Sequence, residues 1–136
     1  MNEIIKQVKE ITDNILKKEF KQLKDLEIPK KQGVYIIKEK SNRFFNNQIF
    51  YVGKSINLFK RIFRQHNSER DNLSTSVLRR KLHKKGLESH ETSKYLKEEC
   101  LFIIQIIENY DINSVVEDLL IATLREKGKP LINEIK

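Results

Sequence analysis

At 136 residues, with 38% hydrophobic and 34% charged residues, the chain is the size of one ordinary domain with a modest core, not a large multidomain machine. No apolar run approaches the roughly 20 residues of a membrane-spanning helix, the opening MNEIIKQVKE lacks the apolar stretch of a secretory signal, and Cys100 alone can form neither an intramolecular disulfide nor a cysteine-based zinc site. The net charge is +8, and the whole composition fits a cytoplasmic protein with no membrane partner.

From the N-terminus, Ile4, Ile5, Val8, Ile11, Ile15 and Leu16 recur at three- and four-residue steps between charged residues, which predicts an amphipathic helix. Phe20, Leu23 and Leu26 extend that stripe towards Pro29. After Gly33 the pattern changes to Val34-Tyr35-Ile36-Ile37, and Ile49-Phe50-Tyr51-Val52 repeats it beyond an asparagine-rich interval, Ser41 to Gln48. Two β-branched and aromatic runs around such a connector predict a β-hairpin with a mobile tip. Gly53 closes the second strand, and Asn57 has the chemistry to cap a helix through His66, with Leu58, Ile62 and Phe63 on its buried side.

A second basic helix is expected over Ser76 to Lys85, with Val77, Leu78 and Leu82 inward and Gly86 as its stop. Between Lys54 and Lys85 ten basic residues face two acidic ones, so this segment holds the full excess of +8 and the rest of the chain is balanced. A solvated lysine-rich face is a common outcome, but an excess confined to one segment is the electrostatic footprint of a phosphate-backbone binder. The stretch 87–99 is polar, with room for a short helix around Lys94-Tyr95-Leu96. Leu101 to Ile107 is the most apolar run and reads as a central strand buried on both faces. Asn113 or Ser114 can cap a last helix with Val116, Leu119, Leu120, Thr123 and Leu124 on its core side. Gly128 and Pro130 end it, and Leu131-Ile132-Asn133 forms an extended tail.

Four polar residues fall on separate elements: Tyr35 and Tyr51 on the paired strands, Arg61 in the helix after Gly53, and Glu117 in what reads as the first turn of the last helix. Singly, each has a simpler explanation, cross-strand packing for the tyrosines and a helix-dipole complement for the glutamate. Their order and spacing change the weighing. Gly33-Val34-Tyr35, Tyr51-Val52-Gly53-Lys54-Ser55, Asn57-Leu58, Arg61 ten residues after Tyr51, Glu117, Pro130 and Asn133 together resemble the GIY-YIG nuclease family over residues 29–133.

The resemblance implies an α/β fold, a small three-stranded mixed sheet flanked by helices, with residues 1–28 as an N-terminal helical extension and 29–136 as the nuclease domain. It implies hydrolysis of a DNA phosphodiester with one divalent ion, Mg2+ or Mn2+. Tyr35 and Tyr51 match the motif tyrosines, Arg61 the catalytic arginine, Glu117 the metal-binding glutamate, Asn133 the late asparagine, and Gly33 and Gly53 the structural glycines. His66 lies near where some members place a histidine or tyrosine. The interval between Tyr35 and Tyr51 is longer than usual in the family, which leaves the strand register open.

The chemistry is consistent with those residue types. Cleaving a phosphodiester in line needs an activated water and charge stabilisation at the phosphate. One carboxylate plus water and phosphate oxygens suits a hard cation, and the guanidinium of Arg61 presents a planar fork of donors to the same phosphate. A phenol with a reference pKa of about 10 is a poor base at neutral pH unless positive neighbours such as Lys54 favour its anion. Tyr35 is the expected base with Tyr51 orienting the water or phosphate, and the reverse assignment stays open. Lys54, Lys60, Arg64, Arg79, Arg80, Lys81, Lys84 and Lys85 are the expected nucleic-acid contacts, with DNA as partner and RNA left open. His83 and His90 lack ligand-spaced partners, and Gln48 breaks any nucleotide-triphosphate loop pattern around Lys54-Ser55. The competing readings are a catalytically inactive nucleic-acid-binding module of the same fold and a protein-interaction domain docking through its N-terminal helix. With no zinc finger or second DNA-reading module in the sequence, broad or structure-directed cleavage is expected.

Overall fold

The computed structural model describes residues 2–66 and 77–133, with the side chains of Asn2, Arg64, Gln65 and His66 outside that description. Helix α1 spans Asn2–Leu16. Its inner face is narrower than the apolar stripe in the sequence: Val8, Thr12 and Ile15 are buried, whereas Ile4 and Ile5 are more than half exposed. The helix ends at Leu16 and does not continue, because the chain turns to bring Lys21 onto Phe102 by two backbone hydrogen bonds of 3.0 and 2.7 Å. Leu23–Asp25 is then a single 3-10 turn.

Strands β1 (Gly33–Glu39) and β2 (Ile49–Ser55) form the hairpin expected from their composition. Their register sets Tyr35 opposite Gly53 and Ile37 opposite Tyr51, and a bulge follows between Ile37 and Lys38. A bulge opposes two residues to one and re-aims side chains. Here Phe50 and Tyr51, successive in β2, both pack into the same core cluster. The connector is anchored, contrary to the mobile tip expected from its polarity. The carboxylate of Glu39, fully buried, accepts from the backbone N–H groups of Phe44 and Phe45 and from the hydroxyl of Tyr95. Phe45 stacks on Phe50 with ring centroids 4.2 Å apart. Asn46 and Asn47 supply the left-handed turn that closes the loop, a conformation asparagine tolerates.

After β2, Asn57 Oδ1 accepts from Lys60 N at 3.0 Å, as an N-cap does, and the chain runs through a π-helical segment, Lys60–His66. Helix α2 covers Val77–Lys84, and the expected start at Ser76 lies outside the described residues. The polar stretch after Gly86 is more regular than its composition indicates: α3 spans Ser89–Glu98 and opens with a reciprocal capping box between Glu88 and Glu91. Strand β3 is Cys100–Ile106 and α4 is Tyr110–Glu126.

The sheet order is β2-β1-β3 and both pairings are antiparallel, so the expectation of a mixed sheet is corrected. Strands β2 and β3 run in the same direction but flank β1 on opposite sides, so no parallel pair forms. The central strand is β1, not the more apolar β3. Lys21 pairs with one residue of β3's free edge, and Ile106 at its end is 40% exposed. On one face Val34, Ile36, Val52 and Ile103 pack with Val8 and Ile15 of α1 and Val116, Leu120 and Leu124 of α4. On the other, Tyr35, Ile37, Phe50 and Tyr51 pack with Leu58, Ile62, Leu78, Leu82 and Leu96. Among the described residues no helix is long and apolar enough to cross a membrane.

Candidate active site

Two glycines set the geometry. A Cβ on Gly33 would run into the carbonyl of Gln105 and lie 2.8 Å from Leu58 Cδ1, so only glycine lets β1 start between β3 and the helix after β2. A Cβ on Gly53 would collide with the phenol end of Tyr35. Glycine at 53 therefore makes the space that the Tyr35 hydroxyl fills, beside Tyr51, whose ring centroid lies 6.1 Å away at a 39° tilt. The two tyrosines share one face of the sheet, which settles the register that the long connector had left open.

Tyr35 is 1% and Tyr51 9% exposed. Burial pushes the Tyr35 phenol well above the ordinary tyrosine value. Tyr51 beside it adds to that rise, the positive charge of Arg61 opposes it, and a hydrogen bond with Tyr51 and the charge of Glu117 reinforce it. Tyr51, Arg61 and Glu117 are thus all close enough for their charges to act on one phenol. They come from β2, the π-helical segment and α4. π-Helical turns are rare and are found frequently at functional sites; this one carries the half-buried Arg61. Its start is held by backbone bonds from Leu58 to Lys31 and from Phe59 to Pro29.

Glu117 is 7% exposed and sits eight residues into α4, not in its first turn. The cap is Asn109, whose Oδ1 accepts from Ile112 N at 3.0 Å. The expected caps fall inside the helix: Asn113 is buried, and Ser114 accepts from Lys54 Nζ at 2.7 Å. A helix-dipole role for Glu117 is thereby removed, since that effect is confined to the first turn. Asn133 clasps the outer edge of β2, accepting from Val52 N at 3.0 Å and donating to Val52 O at 2.6 Å. Its side chain replaces a missing strand neighbour beside Tyr51 and Gly53, and Arg125 Nη2 donates to its carbonyl at 2.9 Å.

Among the described residues no three His, Cys, Asp or Glu side chains converge as a metal cage. The donor set fits a hard cation that is held by one carboxylate and takes its remaining oxygens from water and phosphate, a pattern natural to Mg2+. Of the expected nucleic-acid contacts, Lys60, Arg80, Lys84 and Lys85 are exposed and Lys54 and Lys81 half-buried. Arg79 is corrected: it is 1% exposed, with Nη2 donating to Ser89 O at 2.6 Å and Ser89 Oγ at 2.8 Å, so it joins α2 to α3. The side chains of Arg64 and His66 lie outside the described residues. His83 and His90 are exposed.

Two residues near the site have no part in the expectations from sequence, Ser114 as partner of Lys54 and Tyr110, whose ring centroid lies 5.8 Å from Lys54 Nζ. Ser114 is three and Tyr110 seven residues from Glu117, a helical spacing that becomes visible only once α4 is started at Tyr110. No curated protein matches the sequence. The family model for the GIY-YIG catalytic domain matches residues 31–129. With the whole sheet and helices α2, α3 and α4 inside that match, the chain belongs to the GIY-YIG family, whose members are endonucleases acting on nucleic acids.

Proposed function

We propose that this protein is a divalent-metal-dependent DNA endonuclease whose site is built from Tyr35, Tyr51, Arg61 and Glu117. The observation that carries the reading is the buried Tyr35 phenol, seated in the space left by Gly53 with the Tyr51 ring 6.1 Å away, and the influence of Arg61 and Glu117, from two further elements, on that phenol supports it. A structural core has no use for that convergence, whereas a rigid scaffold assembles a site this way.

Glu117 would hold Mg2+ or Mn2+, which when bound supplies charge stabilisation at the phosphate oxygens. Arg61 presents its fork of donors to the non-bridging oxygens, where negative charge develops as water attacks phosphorus and the bond to the leaving oxygen breaks. Burial and the hydrogen bond with Tyr51 keep the proton on Tyr35. That favours the reverse of the first tyrosine assignment: Tyr35 remains a neutral donor that orients, and Tyr51, the more exposed of the pair, would act as its phenolate and take the proton from water, becoming the neutral phenol. Asn133 keeps β2 straight at Val52 and so positions Tyr51. Lys60, Arg80, Lys84 and Lys85 supply a basic surface for the DNA backbone.

Relaxation of supercoiled plasmid with Mg2+, Mn2+ or EDTA tests the reading. Nicking that appears with metal and vanishes with EDTA is the expected result. Salt-sensitive binding with no cleavage of plain, branched or single-stranded DNA under any metal would establish the inactive binding module in its place.

A further inference from the structure

Of the four tyrosines, three are buried in the core and one is not. Tyr110, the first residue of α4, is 60% exposed. Large apolar side chains are often exposed singly and need no explanation. What distinguishes Tyr110 is its connection to the site. Lys54 Nζ lies 5.8 Å from its ring centroid and donates to Ser114 Oγ at 2.7 Å. Tyr110, Ser114 and Glu117 stand at i, i+4 and i+7, one stripe of α4. Exposure rises along the stripe from Glu117 at 7% to Tyr110 at 60%, with Ser114 between them half-buried.

The helical rise places Tyr110 about 10 Å along the axis from Glu117, or about three steps of a stacked nucleic-acid strand. The sheet register puts other groups at the same end. Gly33 lies opposite both Ser55 and Ile106, so β2 and β3 finish together there. Ile56, directly after β2, is 73% exposed. An exposed aromatic ring with a cation on it, three steps from the carboxylate proposed to hold the metal, is a surface for a nucleobase: base–aromatic stacking tolerates any sequence because every base has a π-face. Bases inside an uninterrupted duplex have both faces occupied, so only an unpaired base can use it.

We propose that Tyr110 is a stacking platform for an unpaired base about three nucleotides from the scissile phosphate, which makes DNA carrying unpaired bases the preferred substrate class. Lys54 holds the ring and meets the adjoining phosphate. This inference rests on the nuclease reading for the position of the scissile phosphate, but the stacking itself is measurable without cleavage.

The experiment uses the full chain in EDTA, with oligonucleotides carrying 2-aminopurine at successive positions through a single-stranded gap, and a matched duplex as control. Wild-type protein should quench the fluorophore at one or two gap positions and bind gapped DNA more tightly than duplex. Tyr110→Ala should remove the quenching and weaken gapped-DNA binding by about 5- to 150-fold, while changing duplex binding less than about twofold. Tyr110→Phe should retain both properties to within about twofold. Quenching at no position, or an equal effect of Tyr110→Ala on gapped and duplex DNA, would overturn the proposal. A parallel assay with Mg2+ separates the two claims. Cleavage with a silent Tyr110→Ala sinks the platform and keeps the nuclease; Tyr110-dependent quenching without cleavage does the reverse.

Discussion

Gly53→Ala is the smallest change that should damage both fold and site. The added Cβ would meet Cζ and the hydroxyl of Tyr35 far inside contact distance and lie 2.7 Å from Cε1. Tyr35 is fully enclosed, so its ring cannot simply swing into solvent. Relief needs a shift of about 1 Å in the phenol or in β2, a displacement that can cost about 100-fold in rate when a reacting geometry is disturbed. Overpacking of this kind costs about 1–3 kcal/mol, which at about 3–6 °C per kcal/mol lowers the melting temperature by about 3–18 °C. Thermal melts and plasmid nicking on the same preparation read both effects. Gly86→Ala is the control. Its φ of +106° strains any side chain, but no atom lies within 4 Å of the added Cβ. It should lose about 1 kcal/mol of stability and leave cleavage per folded molecule unchanged. Wild-type activity and melting temperature in Gly53→Ala would refute the claim that this glycine exists to admit the Tyr35 phenol.

Three further outcomes follow from the packing. Burial pushes the phenol of Tyr95 and the thiol of Cys100 well above their ordinary values of 10.0 and 9.0, so both stay protonated in the fold and ionise on unfolding. Their contribution is complete below pH 9 and is lost as pH rises above the unfolded values; denaturant midpoints should fall between pH 9 and 11, and an unchanged midpoint would contradict the burial. In α1, Ile15→Ala should cost about 2–5 kcal/mol because Ile15 is fully enclosed, whereas Ile5→Ala should stay within about 0.5 kcal/mol; equal losses in denaturant melts would show that the exposed end of α1 is covered by something else. Arg79→Ala should lower stability with little change in the salt dependence of DNA binding, because Arg79 bonds Ser89 inside the fold. Lys84→Ala, at an exposed position, should do the opposite and reduce the salt slope by about 1.

The hairpin could be read from residue types because β-branched and aromatic runs on either side of Gly33 and Gly53 admit few alternatives. The position of β3 could not. A run such as Leu101 to Ile107 reports how far the faces of a strand are covered, and says nothing about which neighbours its edges find; here the two cores cover its faces, while its free edge meets the backbone of Lys21 and the ammonium of Lys18, which donates to Ile104 O at 3.0 Å. The start of α4 is hidden in the sequence for a related reason. Asn109, Asn113 and Ser114 all carry cap chemistry within six residues, and the tertiary fold decides between them. Placing the cap too late turned Glu117 into a first-turn residue and hid the stripe that joins it to Ser114 and Tyr110. Arg79 shows the limit of charge counting, since its bonds go to Ser89 and Ser93 on another helix. The ordered connector depends on Glu39, a charged residue whose burial is set by three donors from the connector and α3. No local pattern announces such a contact.

The central claim is that Glu117 and Arg61 serve chemistry and not folding. Its most direct test is single-turnover cleavage of supercoiled plasmid in Mg2+ by wild type, Glu117→Ala and Arg61→Ala, with melting temperature and DNA affinity measured on the same samples. The account predicts that Glu117→Ala falls to background and Arg61→Ala slows by about 100- to 1,000-fold, with both variants folded and Glu117→Ala still binding DNA. Metal-dependent cleavage by Glu117→Ala at the wild-type rate would contradict it.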